Sequence, residues 1–503
     1  MKLTCLVQFL FLDNFHLHIR TPQLISLKTT TRPIFITPTM ANCLPAVVID
    51  NGSDTTRAGF ALEDIPSVVF NSNYQIDAEG KTIIGNSQIN QHPDLEVMTL
   101  LENGVVYNFD NIVYNWEHVY SSLDGGNGVD SKDHPLMMTE QTWNTLKNKA
   151  AMAQLAFESL QVPLFSLVKT PLAQLYHMGL SSGLVVDVGA STASVTPILD
   201  GIIQRKSCFH TKYAGDFANL HSLRSLEAKL GYAPAQLDYN RLLPAKYTLG
   251  TVLDSFKLYH VTHNLLYNFK QTMLSVSEPP PGMAQTHQYY QAHHHSHPPF
   301  FQFPNGFQVP YTNQELIPLT EPLFLPHVYK LPGVPVPEPA FDQASTHGIS
   351  NLVLFSIKSL ESAFMANMSN DSQSSNANAR FNEVLRQLFT NTLITGGGSL
   401  FSGFSERICG DLQRTAPQLL PNYVITGSYK LYISPLKNHS NGDINDTLDR
   451  KFGSWLGAAN LASMLNETVE DDGASVNIAL DNWFISKADY EELGEDLIIE
   501  KFK

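Results

Sequence analysis

Three segments of the chain combine a run of apolar residues with a polar, glycine-containing turn. They are residues 47–53 (VVIDNGS), 185–192 (VVDVGAST) and 392–399 (TLITGGGS). Glycine lets the backbone approach a ligand closely, and successive backbone N–H groups can surround phosphate oxygens. An aspartate at the end of a strand, such as Asp50 or Asp187, can hold a hydrated Mg²⁺. The three turns together therefore indicate chemistry on a phosphate-bearing ligand.

Elements of regular structure must position these turns. A continuous apolar run that ends in such a turn is typical of a strand buried on both faces of a sheet. Three strands of this kind predict an α/β architecture whose turns converge on one cleft. Between the first two turns, apolar residues recur at spacings of three and four and predict a core helix with Thr139 or Thr142 as its cap. Its apolar face would contain Trp143, Leu146, Ala150, Ala153, Phe157 and Leu160.

Composition narrows the class of protein. The 503 residues are enough for two or more lobes, and 43% apolar with 16% charged residues is typical of a globular chain. The formal charge of -15 disfavours direct binding to a DNA backbone. Four scattered cysteines indicate neither a disulfide framework nor a zinc site and favour a reducing compartment. No uninterrupted apolar run is about 18 residues long, so we expect no membrane partner.

Some segments depart from the globular pattern. Residues 1–39 form an N-terminal extension, and an extension or an early start codon at Met1 in place of Met40 is favoured over a secretory signal. Residues 278–304 are rich in Pro and His and are interpreted as a solvated loop in preference to a metal site. Residues 367–379 are rich in Asn and Ser and predict a second flexible loop.

Several of these segments resemble actin. Residues 47–70 and 185–201 resemble its two phosphate loops, residues 392–408 its adenosine turn, and residues 102–120 the segment after its second subdomain. The terminal segments KFGSWLGAANLASM and DNWFISKADYEELGE are also similar to actin, whereas Hsp70-like proteins and sugar kinases lack them. The resemblance implies an α/β, two-lobed actin-like ATPase fold with duplicated RNase H-like domains and four subdomains.

The resemblance also implies where the lobes lie. The first lobe would contain residues 40–177 and 453–503, with 71–99 as the second subdomain. The second lobe would contain residues 178–452, with 214–332 as the fourth subdomain. Residues 71–99 do not resemble the subunit-gripping loop of actin, and the fourth subdomain is expected to carry the Pro/His-rich insertion in place of compact helices. Since repeated head-to-tail contacts need both faces, we expect no filament.

Nine residues match positions at which actin contacts its nucleotide. Lys270 also falls near the nucleotide positions of actin. The resemblance assigns the nine to a vestigial nucleotide site: Asp50, Gly52, Ser53, Arg57, Asp187, Gly189, Gly396, Gly397 and Lys451.

The first phosphate loop departs from actin. Asp54 stands in place of a glycine, and Arg57 replaces the phosphate-binding lysine. A carboxylate about 4 Å from a phosphate charge costs about 4 kcal/mol at an effective dielectric near 20. We expect Arg57 to pair with Asp54, so that the carboxylate stands where phosphate would lie. The alternative is that Asp54 points to solvent and that ADP or ATP still binds weakly.

The residues needed for hydrolysis are also replaced. Thr170 stands in place of the glutamine that positions water, Ala190 in place of an acidic residue, and Ser194 in place of a histidine. Groups that could orient a water or accept its proton are therefore missing from these positions. The sequence predicts a degenerate ATPase cleft with no catalytic residue, no metal and no required cofactor.

A groove between the first and third subdomains is the usual partner site in this family. By alignment it would contain Tyr176, Gly179, Leu456, Leu461 and Met464. An apolar groove is suited to an amphipathic helix. The alternative is that these residues only pack the two lobes together.

Residues 160–203 and 271–278 resemble fungal actin-related protein 7, a family of nuclear subunits of SWI/SNF and RSC chromatin remodellers. This resemblance implies a non-catalytic scaffold in the nucleus. Its partners would be a helix of the remodeller ATPase subunit and a second actin-related protein in a heterodimer, with chromatin contacted indirectly. The alternative function is an ATP-binding actin-like protein of cytoskeletal or dynactin type.

Overall fold

The computed structural model describes residues 44–233, 238–247, 250–277, 280, 299–304, 306–340, 342–368, 376–423, 443–466 and 474–502. The predicted N-terminal extension and most of the Pro/His-rich segment lie outside these described residues.

The first part of the chain alternates short strands with helices. A π-helical turn, Leu155–Ser159, follows helix α3 directly. The elements are β1 Val47–Asn51, β2 Thr55–Phe60, β3 Val68–Asn71, β4 Asn73–Ile76, β5 Thr82–Ile84, α1 Asn86–Ile89, β6 Met98–Thr99, β7 Leu101–Glu102, β8 Val105–Val106, α2 Phe109–Ser122, β9 Leu136–Glu140, α3 Leu146–Gln154, β10 Leu164–Lys169 and α4 Thr170–His177.

The middle of the chain begins with a second group of strands and becomes mainly helical. A π-helical turn, Val261–Leu266, joins α6 to α7. The elements are β11 Gly183–Val188, β12 Ala193–Leu199, β13 Ile202–Ile203, β14 Phe209–Thr211, α5 Gly215–Lys229, α6 Asp254–His260, α7 Tyr267–Met273, β15 Phe300–Gln302, β16 Gln308–Pro310, α8 Asn313–Leu316, α9 Ile349–Met368, α10 Ala377–Thr390, β17 Thr392–Thr395 and α11 Phe404–Leu419.

The last part is helical apart from one short strand. Its elements are α12 Asp443–Ser463, α13 Ala474–Asn482, β18 Ile485–Ser486, α14 Lys487–Leu493 and α15 Glu495–Lys501.

Two large sheets repeat one pattern of pairing. The first has the order β18-β10-β9-β1-β2-β3, and the second has the order β13-β12-β11-β17 with β14 also paired to β12. In the first sheet β1 pairs antiparallel with β2 and parallel with β9. In the second sheet β11 pairs antiparallel with β12 and parallel with β17. Each central strand therefore has a hairpin partner on one side and a parallel partner on the other, as the predicted two-lobed α/β architecture requires.

Helices α4 and α12 pack against each other beside the two sheets, and a glycine sets their separation. A methyl group added to Gly457 of α12 would lie only 1.9 Å from the carbonyl oxygen of Ala173 in α4. Trp455, fully buried on α12, donates its indole N–H to the carbonyl oxygen of Val48 in β1 at 3.1 Å. The Trp-Leu-Gly signature thus joins the C-terminal helix to the first sheet and lets the two helices approach closely.

Each large sheet has its own apolar core, and the region that follows the second sheet has another. Helices α5 and α7 contribute Leu223 and Phe269 to this third cluster, where they pack with Phe301 and Tyr311 of the strands β15 and β16 and the loop after them. The expectation that the insertion replaces compact helices in this region is therefore wrong. Helices α5, α6 and α7 precede the insertion in the sequence and are not replaced by it.

The predicted core helix begins later than expected. Neither Thr139 nor Thr142 is its cap, because Thr139 lies within strand β9. The hydroxyl of Thr145 instead accepts the backbone N–H three residues further on at 3.1 Å, and the helix starts at Leu146. Trp143 precedes the helix and Leu146 is 47% exposed, so neither belongs to its buried face.

Helix α9 is long and apolar enough to cross a membrane by length and composition, but 50% of its most apolar window is buried inside the fold. Leu352, Val353 and Ile357 of this helix are fully buried in the second sheet's core, so it is a core helix. It ends at Met368 and α10 begins at Ala377. The ends of the predicted loop 367–379 are therefore helical, and its centre lies outside the described residues.

Candidate nucleotide cleft

The three glycine-containing turns lie close together. Strands β11 and β17 are parallel neighbours, so the second and third turns leave the same edge of one sheet. Gly396 has a φ of 88°, and a methyl group there would lie 2.4 Å from Asp187 Oδ1. The first and second turns meet through a hydrogen bond of 2.7 Å between the hydroxyls of Ser53 and Ser191. The predicted convergence of the turns is therefore present.

Asp50 has two partners in the first sheet. Arg57 donates from Nη1 to Asp50 Oδ2 at 2.8 Å, and Thr139 donates from Oγ1 to Asp50 Oδ1 at 2.5 Å. The predicted pair between Arg57 and Asp54 is wrong. Arg57 lies directly opposite Asp50 in the antiparallel register of β1 and β2, whereas Asp54 lies in the turn between these strands.

Asp54 contacts a histidine that belongs to the region after the second sheet. Its Oδ1 lies 3.2 Å from Nε2 of His263, and its Oδ2 accepts a hydrogen bond of 2.7 Å from Thr55. Burial disfavours the ionised carboxylate, but His263, Thr55 and Lys270 outweigh burial and lower the pKa of Asp54. Burial also opposes the charged imidazole, and the Asp54 carboxylate outweighs it and raises the pKa of His263. The Asp54 side chain remains 39% exposed.

A second carboxylate lies at the same end of the cleft. Asp216, in the first turn of α5, donates its backbone N–H to the carbonyl oxygen of Ala190 at 2.8 Å. Burial raises the pKa of Asp216, and the nearby Asp54 raises it further. Lys270 lies within electrostatic reach of both carboxylates, although burial lowers its pKa. Asp216 and His263 were not identified from the sequence, because the resemblance to actin assigned neither of them to the nucleotide site.

A glutamine reaches the second aspartate. Gln174 donates from Nε2 to Asp187 Oδ2 and to Ser454 Oγ, each at 2.9 Å, and burial raises the pKa of Asp187. The hydroxyl of Thr170 donates to the carbonyl oxygen of Glu140 at 3.1 Å instead. Gln174 follows Thr170 by four residues and so lies one turn along the same face of α4. That spacing was the signal that could have identified Gln174.

Ser194 lies beside a histidine of the neighbouring strand in the second sheet. Ser194 is buried and lies opposite His210 in the pairing of β12 with β14. The His210 ring stacks on Trp143 with ring centroids 4.1 Å apart, and burial lowers the pKa of His210. This histidine is therefore held in an aromatic contact between the segment after β9 and the second sheet.

The third turn contacts Arg450 more closely than the predicted Lys451. The backbone N–H of Gly396 donates to the carbonyl oxygen of Arg450 at 2.9 Å, and Arg450 Nη1 donates to the carbonyl oxygen of Ser399 at 3.3 Å. Lys451 Nζ instead lies 5.3 Å from the centre of the neighbouring Phe452 ring. A methyl group on Gly397 would meet no atom within 4 Å, so this glycine borders open space.

The five residues of the predicted partner groove differ in exposure. Leu461 and Met464 are buried, at 3% and 6% exposure, so these two side chains pack inside the fold. Tyr176 is half-buried, and its ring lies edge to face with that of Trp483, with the ring centroids 6.1 Å apart. Leu456 is also half-buried, and Gly179 with a φ of 71° ends the turn after α4.

A metal site built by the protein alone is not evident. Within the part of the chain that the structure describes, no group of three or more His, Cys, Asp or Glu residues is arranged to hold a metal ion.

The two sheets with the same strand pairing and the three turns that meet beside them define a protein with the two-lobed actin-like α/β fold. An actin family model matches residues 42–503, and the chain belongs to the actin family. The predicted resemblance to actin is therefore confirmed over nearly all of the described chain.

Full-length relatives agree with this assignment. Actin-related protein 4 of Yarrowia lipolytica is 27% identical over 484 residues, which cover 90% of this chain and 95% of the relative. The SWI/SNF and RSC complexes subunit arp42 of Schizosaccharomyces pombe is 27% identical over 91% of this chain and 99% of its own length. Actin-related protein 7 of Saccharomyces cerevisiae is 27% identical over 90% of this chain and 96% of its own length.

Proposed function

We propose that this chain is a non-catalytic actin-related subunit of a nuclear chromatin-remodelling complex. It binds a helix of the remodeller ATPase subunit and pairs with a second actin-related protein. The relative from Schizosaccharomyces pombe that is named as a SWI/SNF and RSC complexes subunit supports this role, because the alignment covers 99% of its length. A nuclear location is part of the proposal, because a subunit of a chromatin-remodelling complex acts where chromatin is.

The observation that carries the non-catalytic part of the proposal is the contact between Arg57 and Asp50. A hydrated Mg²⁺ would need the carboxylate oxygens of Asp50, and both already accept hydrogen bonds, one from Arg57 and one from Thr139. The guanidinium supplies a positive charge beside Asp50, the aspartate that the sequence predicted to hold a hydrated metal ion. These residues do not fit a Mg²⁺–polyphosphate group.

Charge at the phosphate end supports the same proposal. Asp54 and Asp216 both place carboxylates beside the first and second turns. Each unit charge about 4 Å from a phosphate would cost between about 1 kcal/mol in water and about 4 kcal/mol at an effective dielectric near 20. Because Asp54 is 39% exposed and Asp216 is also exposed, the cost at each lies toward the lower value. His263 contacts the Asp54 carboxylate, and Lys270 lies within electrostatic reach of Asp54 and Asp216, so both positive charges are already partly offset by these carboxylates.

One observation favours the alternative of an ATP-binding actin-like protein. Gln174 is buried beside Asp187, and its Oε1 has no hydrogen-bond partner among the residues that the structure describes. An acceptor at that position could accept a hydrogen bond from a water molecule. Both protons of its amide nitrogen are donated elsewhere, to Asp187 and Ser454, so the side chain is fixed in one orientation.

Two measurements on the full-length chain test the proposal. The tagged protein is purified from its native cells, and the co-purifying proteins are identified by mass spectrometry. The isolated protein is titrated with Mg²⁺–ATP by calorimetry and assayed for phosphate release. Co-purification of a remodeller ATPase together with no turnover supports the proposal. Stoichiometric, Mg²⁺-dependent ATP binding with turnover would overturn the non-catalytic part, and absence of a remodeller ATPase would overturn the rest.

The proposed helix site has its own variant. Trp483→Ala removes a half-buried ring that packs against Tyr176. We expect this variant to reduce recovery of the ATPase subunit at least several-fold. The matched control is Phe300→Ala, which removes a ring that is 56% exposed on strand β15. Equal loss of the ATPase subunit from both variants would count against this groove as the helix site.

A further inference from the structure

Two segments from opposite sides of the cleft bury an apolar cluster between them. One segment, residues 71–97, begins at the end of strand β3 of the first sheet, and the other, residues 243–247 and 250–263, lies around helix α6 after the second sheet. We call these two segments the interlobe latch. The buried side chains that meet there are Ile89, Leu243, Tyr247, Phe256 and Tyr259, all at 6% exposure or less, with Val97 and Val252 at the edge.

Hydrogen bonds join the same two segments. Two of them use backbone N–H groups, and their acceptors lie in the opposite segment. The bonds are Val97 N to Ser255 Oγ at 3.1 Å, Leu253 N to Pro93 O at 2.9 Å, Tyr247 OH to Asn90 O at 3.3 Å and Asn71 Nδ2 to Tyr259 OH at 3.1 Å.

The contacts between the two sides continue into the cleft. His263, which forms the ion pair with Asp54, follows Tyr259 by four residues in the same helical segment. At the other end, the ring of Trp143 stacks on His210. The two sides are therefore joined by apolar, polar and charged groups that all belong to the chain itself.

Opening the cleft would separate these groups. Ile89 and Phe256, both fully buried, would be exposed to water, and the bonds of Val97 and Leu253 would break. A ligand can shift the equilibrium between an open and a closed cleft only by the difference between its binding free energies for the two states. Where the chain itself supplies the closing contacts, no ligand is needed.

We propose that the interlobe latch holds the cleft closed without any bound nucleotide, so that this protein presents one fixed arrangement of its two sheets to its partners. This inference does not depend on which partners bind. It holds for a remodeller subunit and for any other assembly.

Hydrogen exchange at two amides tests the proposal directly. The N–H groups of Val97 and Leu253 both bond across the interlobe latch, so their exchange rates report its opening. The purified full-length protein is measured without nucleotide and with 5 mM Mg²⁺–ATP. We expect slow exchange of both amides without nucleotide, and a change of less than twofold when Mg²⁺–ATP is added. Unprotected exchange without nucleotide, or a slowing of tenfold or more by Mg²⁺–ATP, would overturn the proposal.

Variants separate the interlobe latch from general stability. Ile89→Ala and Phe256→Ala should each accelerate exchange at the two amides by tenfold or more. Phe269→Ala is the matched control, because this ring is equally buried but packs in the neighbouring cluster. Tyr247→Phe removes only a hydroxyl that bonds to Asn90, so it remains informative if the larger truncations fail to fold. Equal acceleration by Phe269→Ala, or no acceleration by Ile89→Ala and Tyr247→Phe, would refute the assignment.

Discussion

Arg57 and Asp50 form an ion pair of 2.8 Å at the end of the first central strand, with side chains only 18% and 8% exposed. The two residues are seven apart in sequence but directly opposite in the hairpin of β1 and β2. The cation that neutralises the strand-end aspartate therefore comes from the chain. This contact links the altered phosphate loop to the proposed loss of Mg²⁺-dependent chemistry.

Removing the guanidinium should destabilise the protein. Arg57→Gln leaves the Asp50 carboxylate partly buried without its cation, and we expect the free energy of unfolding to fall by about 2–4 kcal/mol. Urea unfolding of the full chain measures this change. The double variant Asp50→Asn/Arg57→Gln should recover part of the loss, since no unpaired charge remains. Lys330→Gln, which breaks an exposed pair with Glu338, should leave the urea midpoint unchanged. A parent-like midpoint for Arg57→Gln would contradict the prediction.

Asp54→Gly restores the residue that the resemblance places at this position. Without the carboxylate, a polyphosphate would meet less negative charge. The positive charges of His263 and Lys270 would also no longer be offset by Asp54. We expect the dissociation constant for Mg²⁺–ATP to fall at least tenfold, measured by calorimetry. Asp54→Asn, which removes the charge but keeps the size, should give an intermediate value. If both variants bind as weakly as the parent, Asp54 does not limit nucleotide binding.

Sequence patterns were most informative where the determinants are local. An apolar run followed by Asp-x-Gly predicts a buried strand and a turn from neighbouring residues alone, and all three turns meet as predicted. The Trp-Leu-Gly signature also has a local cause, since Gly457 is required by the close approach of two helices. The fold class could therefore be predicted with its central strands in place.

Pairings between distant segments could not be predicted in the same way. Arg57 is three residues from Asp54, and that proximity suggested the wrong partner, because the register of the hairpin was unknown. His263 reaches Asp54 only through the packing of a π-helical turn more than 200 residues along the chain. Gln174 was missed for a different reason, since the alignment directed attention to Thr170 alone.

Two glycines in helix α12 should respond in opposite ways to alanine. Gly457→Ala would place a methyl group 1.9 Å from the Ala173 carbonyl oxygen, and we expect a loss of about 3 kcal/mol or more in the free energy of unfolding. Gly453→Ala would place its methyl group 3.6 Å from Thr395 Oγ1, which is an ordinary contact. This second variant should gain up to about 1 kcal/mol from helix propensity. Urea unfolding of both proteins checks the prediction, and similar midpoints would show that the helices can separate without cost.

The ion pair of Asp54 with His263 should make stability depend on pH. The pKa of His263 is raised above its ordinary value of 6.5, so its contribution is complete below that pH and is lost as pH rises through the raised pKa. The pKa of Asp54 is lowered from 3.8, so its contribution is present above that value and is lost only in stronger acid. Asp216 and Lys270 also lie near this pair, but both are present in the parent and in every variant compared below, so they do not account for a difference between them.

The measurement is the difference in Tm between the parent and His263→Gln at about pH 5.5 and about pH 8.5. Both partners are charged at the lower pH, so the parent should exceed His263→Gln by a larger margin there than at the higher pH. Asp54→Asn should also lower the Tm more at the lower pH than at the higher pH. The double variant Asp54→Asn/His263→Gln should have about the same Tm as each single variant, because each change breaks the same pair. A margin that is equal at the two pH values would show that His263 keeps the same charge across this range, or that its contact with Asp54 contributes nothing to stability.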